Sequence, residues 1–291
     1  MNKKRITIIG CGKMGYALLS IMEAGGQYDV RGVEKDYSRK SELAGSTIYD
    51  SISEAGPSDI YVIAVKPQDI DKVLSELSAI IKGVSSPVWI ISIAAGIRSA
   101  YIKRSLPESS ARIVRLMPNT PLLFGEGLTG VVISEEDRDA GKDDIRLIDS
   151  IIDALGEKVH VNEELMDAVT ALSGSGPAYF FYIAEVMERF ARDSGIEGTE
   201  DIRRLIYQTV RGSGQMMKMS GKPFKELKED VTSPGGTTEA ALNYLSENSF
   251  DEIFYNALRK ACERSRELSG EKLSGEKLSG KKLFGKGEEE K

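Results

Sequence analysis

Apolar and polar positions follow two alternating patterns over the first 160 residues. Short runs at 5–9, 30–33, 60–65, 88–93 and 112–116 are rich in β-branched residues, and 60–65 and 88–93 are almost continuously apolar, as expected of strands buried on both faces of a parallel sheet. Between them, apolar residues recur at helical spacing. Over 69–81, for example, Ile70, Val73, Leu74, Leu77 and Ile81 share one face, and 13–24 and 143–155 read the same way. With further strands at 127–134 and 158–161, the pattern predicts an α/β, Rossmann-like N-terminal domain over 1–161, with helices on both faces of a mostly parallel sheet. After Val161 the strand pattern stops. Segments 178–194, 201–219, 239–247 and 250–268 are helical in period, which predicts an all-α C-terminal domain over 162–268. Residues 268–282 repeat LSGEK, LSGEK, LSGKK, and LFGKGEEEK follows; the period fits neither helix nor strand, and 269–291 reads as a low-complexity, disordered tail.

Composition narrows the function classes. The 291 residues suit about two domains, and 41% hydrophobic with 29% charged residues is ordinary for a soluble protein. A net charge of −6 gives no basic surface for nucleic acid. The longest nearly apolar run, 88–97, is too short to cross a membrane. The opening MNKKRITIIGCG has lysines before an apolar stretch, but that stretch meets glycine too soon for a signal peptide and reads as a first strand. Cys11 and Cys262 lie at opposite ends of the chain and build neither a disulfide framework nor a zinc pattern, which fits the cytoplasm. His160 is the one histidine. It excludes a Ser-His-Asp triad and a multi-histidine metal site, so no metal is expected, and it reads as structural.

The sequence Gly10-Cys11-Gly12-Lys13-Met14-Gly15 places GxGxxG between a strand and a helix. The first glycine allows the turn, the second lets backbone amides approach a pyrophosphate, and the third permits close helix–strand packing. Glu34, about 20 residues on, stands where an acid accepts from the ribose hydroxyls of NAD, whereas Lys35, Arg39 and Lys40 suit a 2′-phosphate. The two signals conflict, so the expectation is NADPH with NADH also usable. The third, fourth and fifth strands end in Ala64-Val65-Lys66-Pro67, in Ser92 to Gly96 (including Ala94, Ala95 and Gly96) and in Arg115 to Pro121. Small or turn-forming residues at these ends can line a nicotinamide pocket.

Two clusters stand out in the helical half. One is Ser173-Gly174-Ser175-Gly176-Pro177-Ala178. The other is Asp230 to Glu239, whose Ser233, Gly236, Thr237 and Thr238 surround a Pro-Gly-Gly turn. Free amides and hydroxyls at a helix start make a carboxylate site. Simple capping would need one such hydroxyl rather than four.

Together, GCGKMG, AVKP, SIAAG, RLMPNTP, SGSGPAY and DVTSPGGTTEAAL resemble the pyrroline-5-carboxylate reductases in order and spacing over about 5–268. The resemblance implies a Rossmann domain of the 6-phosphogluconate-dehydrogenase-like kind and a helical dimerisation domain. It also implies reduction of L-1-pyrroline-5-carboxylate to L-proline by NADPH or NADH. Carried over by motif, Gly10 to Gly15 would hold the pyrophosphate, Lys35 the adenosine ribose or its phosphate, and Ala64 to Pro67 with Ala94 to Gly96 the nicotinamide half. Ser233, Gly236 and Thr237, with Ser175, would hold the substrate, and Thr238 would hydrogen-bond its ring nitrogen. The expected partners are this small molecule and a second copy of the chain in an obligate homodimer, to which further dimers can add. Nucleic acid and membrane are not expected.

Two rivals carry different expectations. A β-hydroxyacid dehydrogenase would commonly place a catalytic lysine on the first helix of the second domain, and 178–188 contains no lysine. A non-catalytic nucleotide sensor would not need an intact SPGGTT cluster.

Overall fold

The computed structural model describes residues 3–268 apart from 37, 39, 41, 42, 44, 83, 85, 108 and 139–141. Arg39 and the repetitive tail therefore lie outside the described residues. The first half is one eight-stranded sheet: β1 (Arg5–Ile9), β2 (Asp29–Val33), β3 (Ile48–Tyr49), β4 (Ile60–Ile63), β5 (Trp89–Ser92), β6 (Arg112–Pro118), β7 (Leu128–Ile133) and β8 (Glu157–His160). Their spatial order is β3-β2-β1-β4-β5-β6-β7-β8, and only the β6–β7 pair is antiparallel. The order reverses at β1, so the crevice beyond its C-terminal end is the topological switch point of the sheet.

Period-two alternation sends each strand's residues to two separate cores. Ile6, Ile8, Ile60 and Val62 pack on one face with Leu18, Leu19 and Met22 of α1 (Lys13–Ala24). Ile9, Tyr61 and Ile63 pack on the other. There they meet helices α2 (Ile52–Ala55), α3 (Ile70–Ile81) and α4 (Ser99–Ser105). The five apolar residues expected to share a face of α3 are all buried. After a short α5 (Glu135–Arg138), α6 (Lys142–Asp153) returns to the first face through Ile148, Ile151 and Ile152. Strand β8 is mostly exposed at the sheet edge, His160 included. The expected structural histidine is thus a surface residue, on a terminal strand that pairs with β7 and, among the described residues, with no further strand.

From Glu163 to Leu268 the elements are helical: a 3-10 turn Glu163–Leu165, α7 (Met166–Val169), a π-helical turn Thr170–Gly174, then α8 (Gly176–Asp193), α9 (Thr199–Ser220), α10 (Phe224–Asp230), α11 (Thr237–Glu247) and α12 (Phe250–Leu268). Helix α12 packs back on α7 and the π turn. There Ser265 Oγ donates to the buried Asp167 Oδ1 at 2.6 Å. Otherwise this half has little interior. Its buried apolar cluster is Ala191, Ile202 and Ile206, whereas Phe181 is 68% and Phe190 71% exposed. Among the described residues, no helix is long and apolar enough to cross a membrane.

Candidate active site

The glycine turn lies at the switch point. Gly10 takes φ +90° and donates its amide to the Val33 carbonyl at 2.9 Å, while Ala64 donates to Ile9 at 2.9 Å. A Cβ on Gly10 would lie 2.8 Å from Val65 Cγ1, and one on Gly15 only 1.9 Å from the Gly10 carbonyl oxygen. The loops at Gly10 to Gly15 and at Ala64–Val65 are therefore in direct contact. No side chain caps the start of α1, and its first turn carries no acid. Its leading amides are left for an anion, so the cradle fits the pyrophosphate of a dinucleotide. Lys13 is exposed and Met14 half-buried at its rim.

Cys11 faces inward instead. It is 3% exposed, and burial, with the Glu34 carboxylate beside it, pushes its thiol up to about 12. Glu34 accepts from the amide of Cys11 at 3.0 Å and from that of Asp36 at 2.9 Å, which ties the glycine turn to the end of β2. Lys35 reaches the other way, to Glu76 Oε1 at 3.1 Å, and Lys40 pairs with Asp50. Lys66 is exposed, with Pro67 opening a 3-10 turn. Ala94 and Gly96 are buried and Ala95 half-buried in the loop after β5. Here Ser92 Oγ accepts from the Ala94 amide at 3.3 Å.

The motif after β6 meets the first helical cluster. Asn119 Nδ2 donates to Ser173 Oγ at 3.1 Å, and its Oδ1 accepts from Leu128 N–H at 2.9 Å. Ser175 closes the π turn by donating its amide to the Thr170 carbonyl at 2.8 Å. Tyr179 donates its hydroxyl to the Ala171 carbonyl at 3.1 Å. The π turn and Tyr179's bond across it carry no sequence signature. Arg115, which opens the RLMPNTP motif within β6, pairs with Glu163 of the 3-10 turn, a contact that spacing does not encode.

The second cluster stands apart. In the Pro-Gly-Gly turn, Gly235 has φ +70° and Gly236 donates to the Ser233 carbonyl at 2.9 Å. The start of α11 has no side-chain cap, and Glu239 Oε2 accepts the Gly235 amide at 2.8 Å. Ser233 and Thr237 are exposed and Thr238 is half-buried. Helix α11 packs on α12, and among the described residues no sheet element packs extensively on it. Among the described residues, no extensive contact joins the helix that follows the Pro-Gly-Gly turn to α1 or β1, which flank the glycine turn.

Comparison with known proteins decides the family. Residues 163–268 match the pyrroline-5-carboxylate reductase dimerisation family, and residues 5–96 the coenzyme F420-dependent NADP oxidoreductase family. A pyrroline-5-carboxylate reductase of Methanosarcina acetivorans is 38% identical over 92% of this chain and 99% of its own length. The chain belongs to the pyrroline-5-carboxylate reductase family. Solved structures of the family agree in fold. The Plasmodium falciparum pyrroline carboxylate reductase with NADP bound has a TM-score of 0.81 at 30% identity, covering 92% of this chain and 99% of that one. The Coxiella burnetii reductase has a TM-score of 0.77 at 34% identity with the same coverage.

Proposed function

We propose that this protein reduces L-1-pyrroline-5-carboxylate to L-proline with NADPH, NADH also serving, as the last step of proline biosynthesis. The observation that carries this reading is the match to a pyrroline-5-carboxylate reductase over 92% of the chain, with the glycine turn and the SPGGTT turn inside the two matched family regions. Residues 1–161 form the dinucleotide domain and 162–268 the substrate and dimerisation domain. A cytoplasmic location belongs to the same reading and is supported by two free cysteines.

Gly10 to Gly15 would hold the pyrophosphate, Lys35 would leave Glu76 for the adenosine phosphate, and Glu34 would keep the glycine turn in place. Ala64 to Pro67 and Ala94 to Gly96 would enclose the nicotinamide half. When bound, the reduced nicotinamide supplies the hydride. A protonated cyclic imine is already strongly electrophilic, and its proton can come from solvent. The chain therefore needs chiefly to position two reactants. Ser233, Gly236 and Thr237 would grip the carboxylate at the start of α11, Thr238 would orient the ring nitrogen, and Ser175 would face the substrate from the π turn.

Two subunits complete the site on this reading. The support is physical. The exposed aromatic residues of α8 have no cover in one chain, and burying each is worth about 1.5–3 kcal/mol. A second copy would cover them and bring its carboxylate turn to this chain's sheet. The deciding experiment follows near-ultraviolet absorbance of NADPH and of NADH with pyrroline-5-carboxylate present. Stoichiometric proline formation is expected, and no oxidation of either cofactor would refute the assignment.

A further inference from the structure

Arg115 lies within β6, and its side chain is only 5% exposed. On β5 it is in register with Ser92, two residues before Ala94. A guanidinium keeps its charge wherever it is placed, so burial there demands a partner. The partner is Glu163, the first residue of the 3-10 turn that opens the helical half. One carboxylate oxygen of Glu163 accepts from Arg115 Nη1, and the other accepts from Ser99 Oγ at 2.8 Å. Ser99 opens α4, three residues after Gly96. A single carboxylate thus joins the sheet, the loop carrying Ala94 to Gly96, and the linker into the helical half.

We infer that the Arg115–Glu163–Ser99 bridge is a positioning device for hydride transfer. It holds the 94–96 wall and the base of the helical half in one frame while touching neither reactant. The inference rests on the proposed function, which puts the nicotinamide against that wall. Hydride transfer is steeply sensitive to placement, since an error of about 1 Å can cost about a hundredfold. Arg115 is on β6, three strand positions along the sheet from β1, which leads into the glycine turn, so the pyrophosphate's share of cofactor affinity should not depend on the bridge.

The test uses the full-length enzyme with pyrroline-5-carboxylate and NADPH. Glu163→Gln should lower kcat by about ten- to a hundredfold, leave NADPH affinity by calorimetry within about threefold, and enlarge the primary isotope effect with NADPH deuterated at the transferred position. The double variant Arg115→Met with Glu163→Met replaces the pair with apolar groups, which is commonly neutral or stabilising. It should regain the wild-type thermal midpoint and still turn over slowly. Recovery of kcat along with the midpoint would make the bridge merely structural and overturn the inference. Ser99→Ala removes one hydroxyl at a half-buried helix start and will fold. A kcat lowered about three- to tenfold is expected of it, and wild-type kcat with an unchanged isotope effect would also overturn the inference. Inactive wild-type enzyme would instead refute the proposed function.

Discussion

Replacing Gly15 with alanine tests the cradle most directly. The added Cβ would lie 1.9 Å from the Gly10 carbonyl oxygen and 3.1 Å from Ala64 Cβ. Neither neighbour is the free end of a flexible side chain. Contacts of this kind do not close below about 3 Å, so the first turn of α1 has to retreat from β1 by at least about 1 Å. Overpacking of this sort costs about 1–3 kcal/mol of stability. The same retreat carries the leading amides of α1 away from the pyrophosphate by roughly the margin that separates a hydrogen bond from none. Each charge-assisted bond lost is worth about 1.5–3 kcal/mol, or about ten- to a hundredfold in Kd. Calorimetry with NADPH reads the affinity, and a thermal melt without cofactor reads the stability. Gly25→Ala, at the other end of the helix, is the control: its Cβ would meet nothing closer than 3.6 Å, and φ is −64°. Affinity within about twofold of wild type is expected there. If Gly15→Ala bound NADPH as tightly as wild type, the cradle would not be the cofactor site.

Four other outcomes follow from the same geometry. Thr238→Ala should slow turnover and weaken substrate binding, together lowering kcat/KM about tenfold, the worth of one hydrogen bond; unchanged steady-state kinetics would remove Thr238 from the site. Phe181→Asp puts a carboxylate on an apolar surface that is 68% exposed in one chain. It should shift sedimentation toward monomer and abolish activity, whereas an intact active dimer would contradict the shared site. Lys35→Ala should raise KM for NADPH by up to about tenfold and leave NADH within about twofold, and equal effects on both would exclude a phosphate role. Cys11 should resist iodoacetamide at pH 8 in the folded protein and react once unfolded. With its pKa raised from an ordinary 9.0 to about 12, the folded thiol stays neutral at that pH. The linked stability is fully present below pH 9 and is lost as pH rises toward 12, so the thermal midpoint should fall across that window.

The sheet half was legible because its physics is local. β-branched runs bounded by glycine or proline read as strands, and the expected helix at 13–24 coincides with α1. Strand ends were harder. The expected run 60–65 stops at Ile63: Ala64 keeps one bond to Ile9, and Val65 turns to meet the glycine loop. Strand β3 is two residues long and α2 four, too short for any period to show. Of the candidate site, the glycine loop and the Pro-Gly-Gly turn were visible because backbone conformation restricts the residue type. Glu34 was visible as an acid in the right place, but its bracing bond to Cys11 depends on how closely β1 and β2 approach, which spacing does not encode.

The helical half shows why periodicity stops short of assembly. Amphipathic spacing marks a face that must be buried, and it is silent on what buries it. For α3 the answer is the sheet of the same chain, and all five expected residues are covered. For α8 the same rule marks aromatic residues, yet Phe180, Phe181 and Phe190 lie more than half exposed, and α9 adds Leu205, Tyr207 and Met219. A small cluster around Ile202 and Ile206 cannot offset the entropy of ordering two helices of this length. The helices persist in water only if something covers those faces. On the proposed function the candidate substrate turn, whose helix makes extensive contact with α12 and not with this chain's sheet among the described residues, would meet a sheet in a second copy.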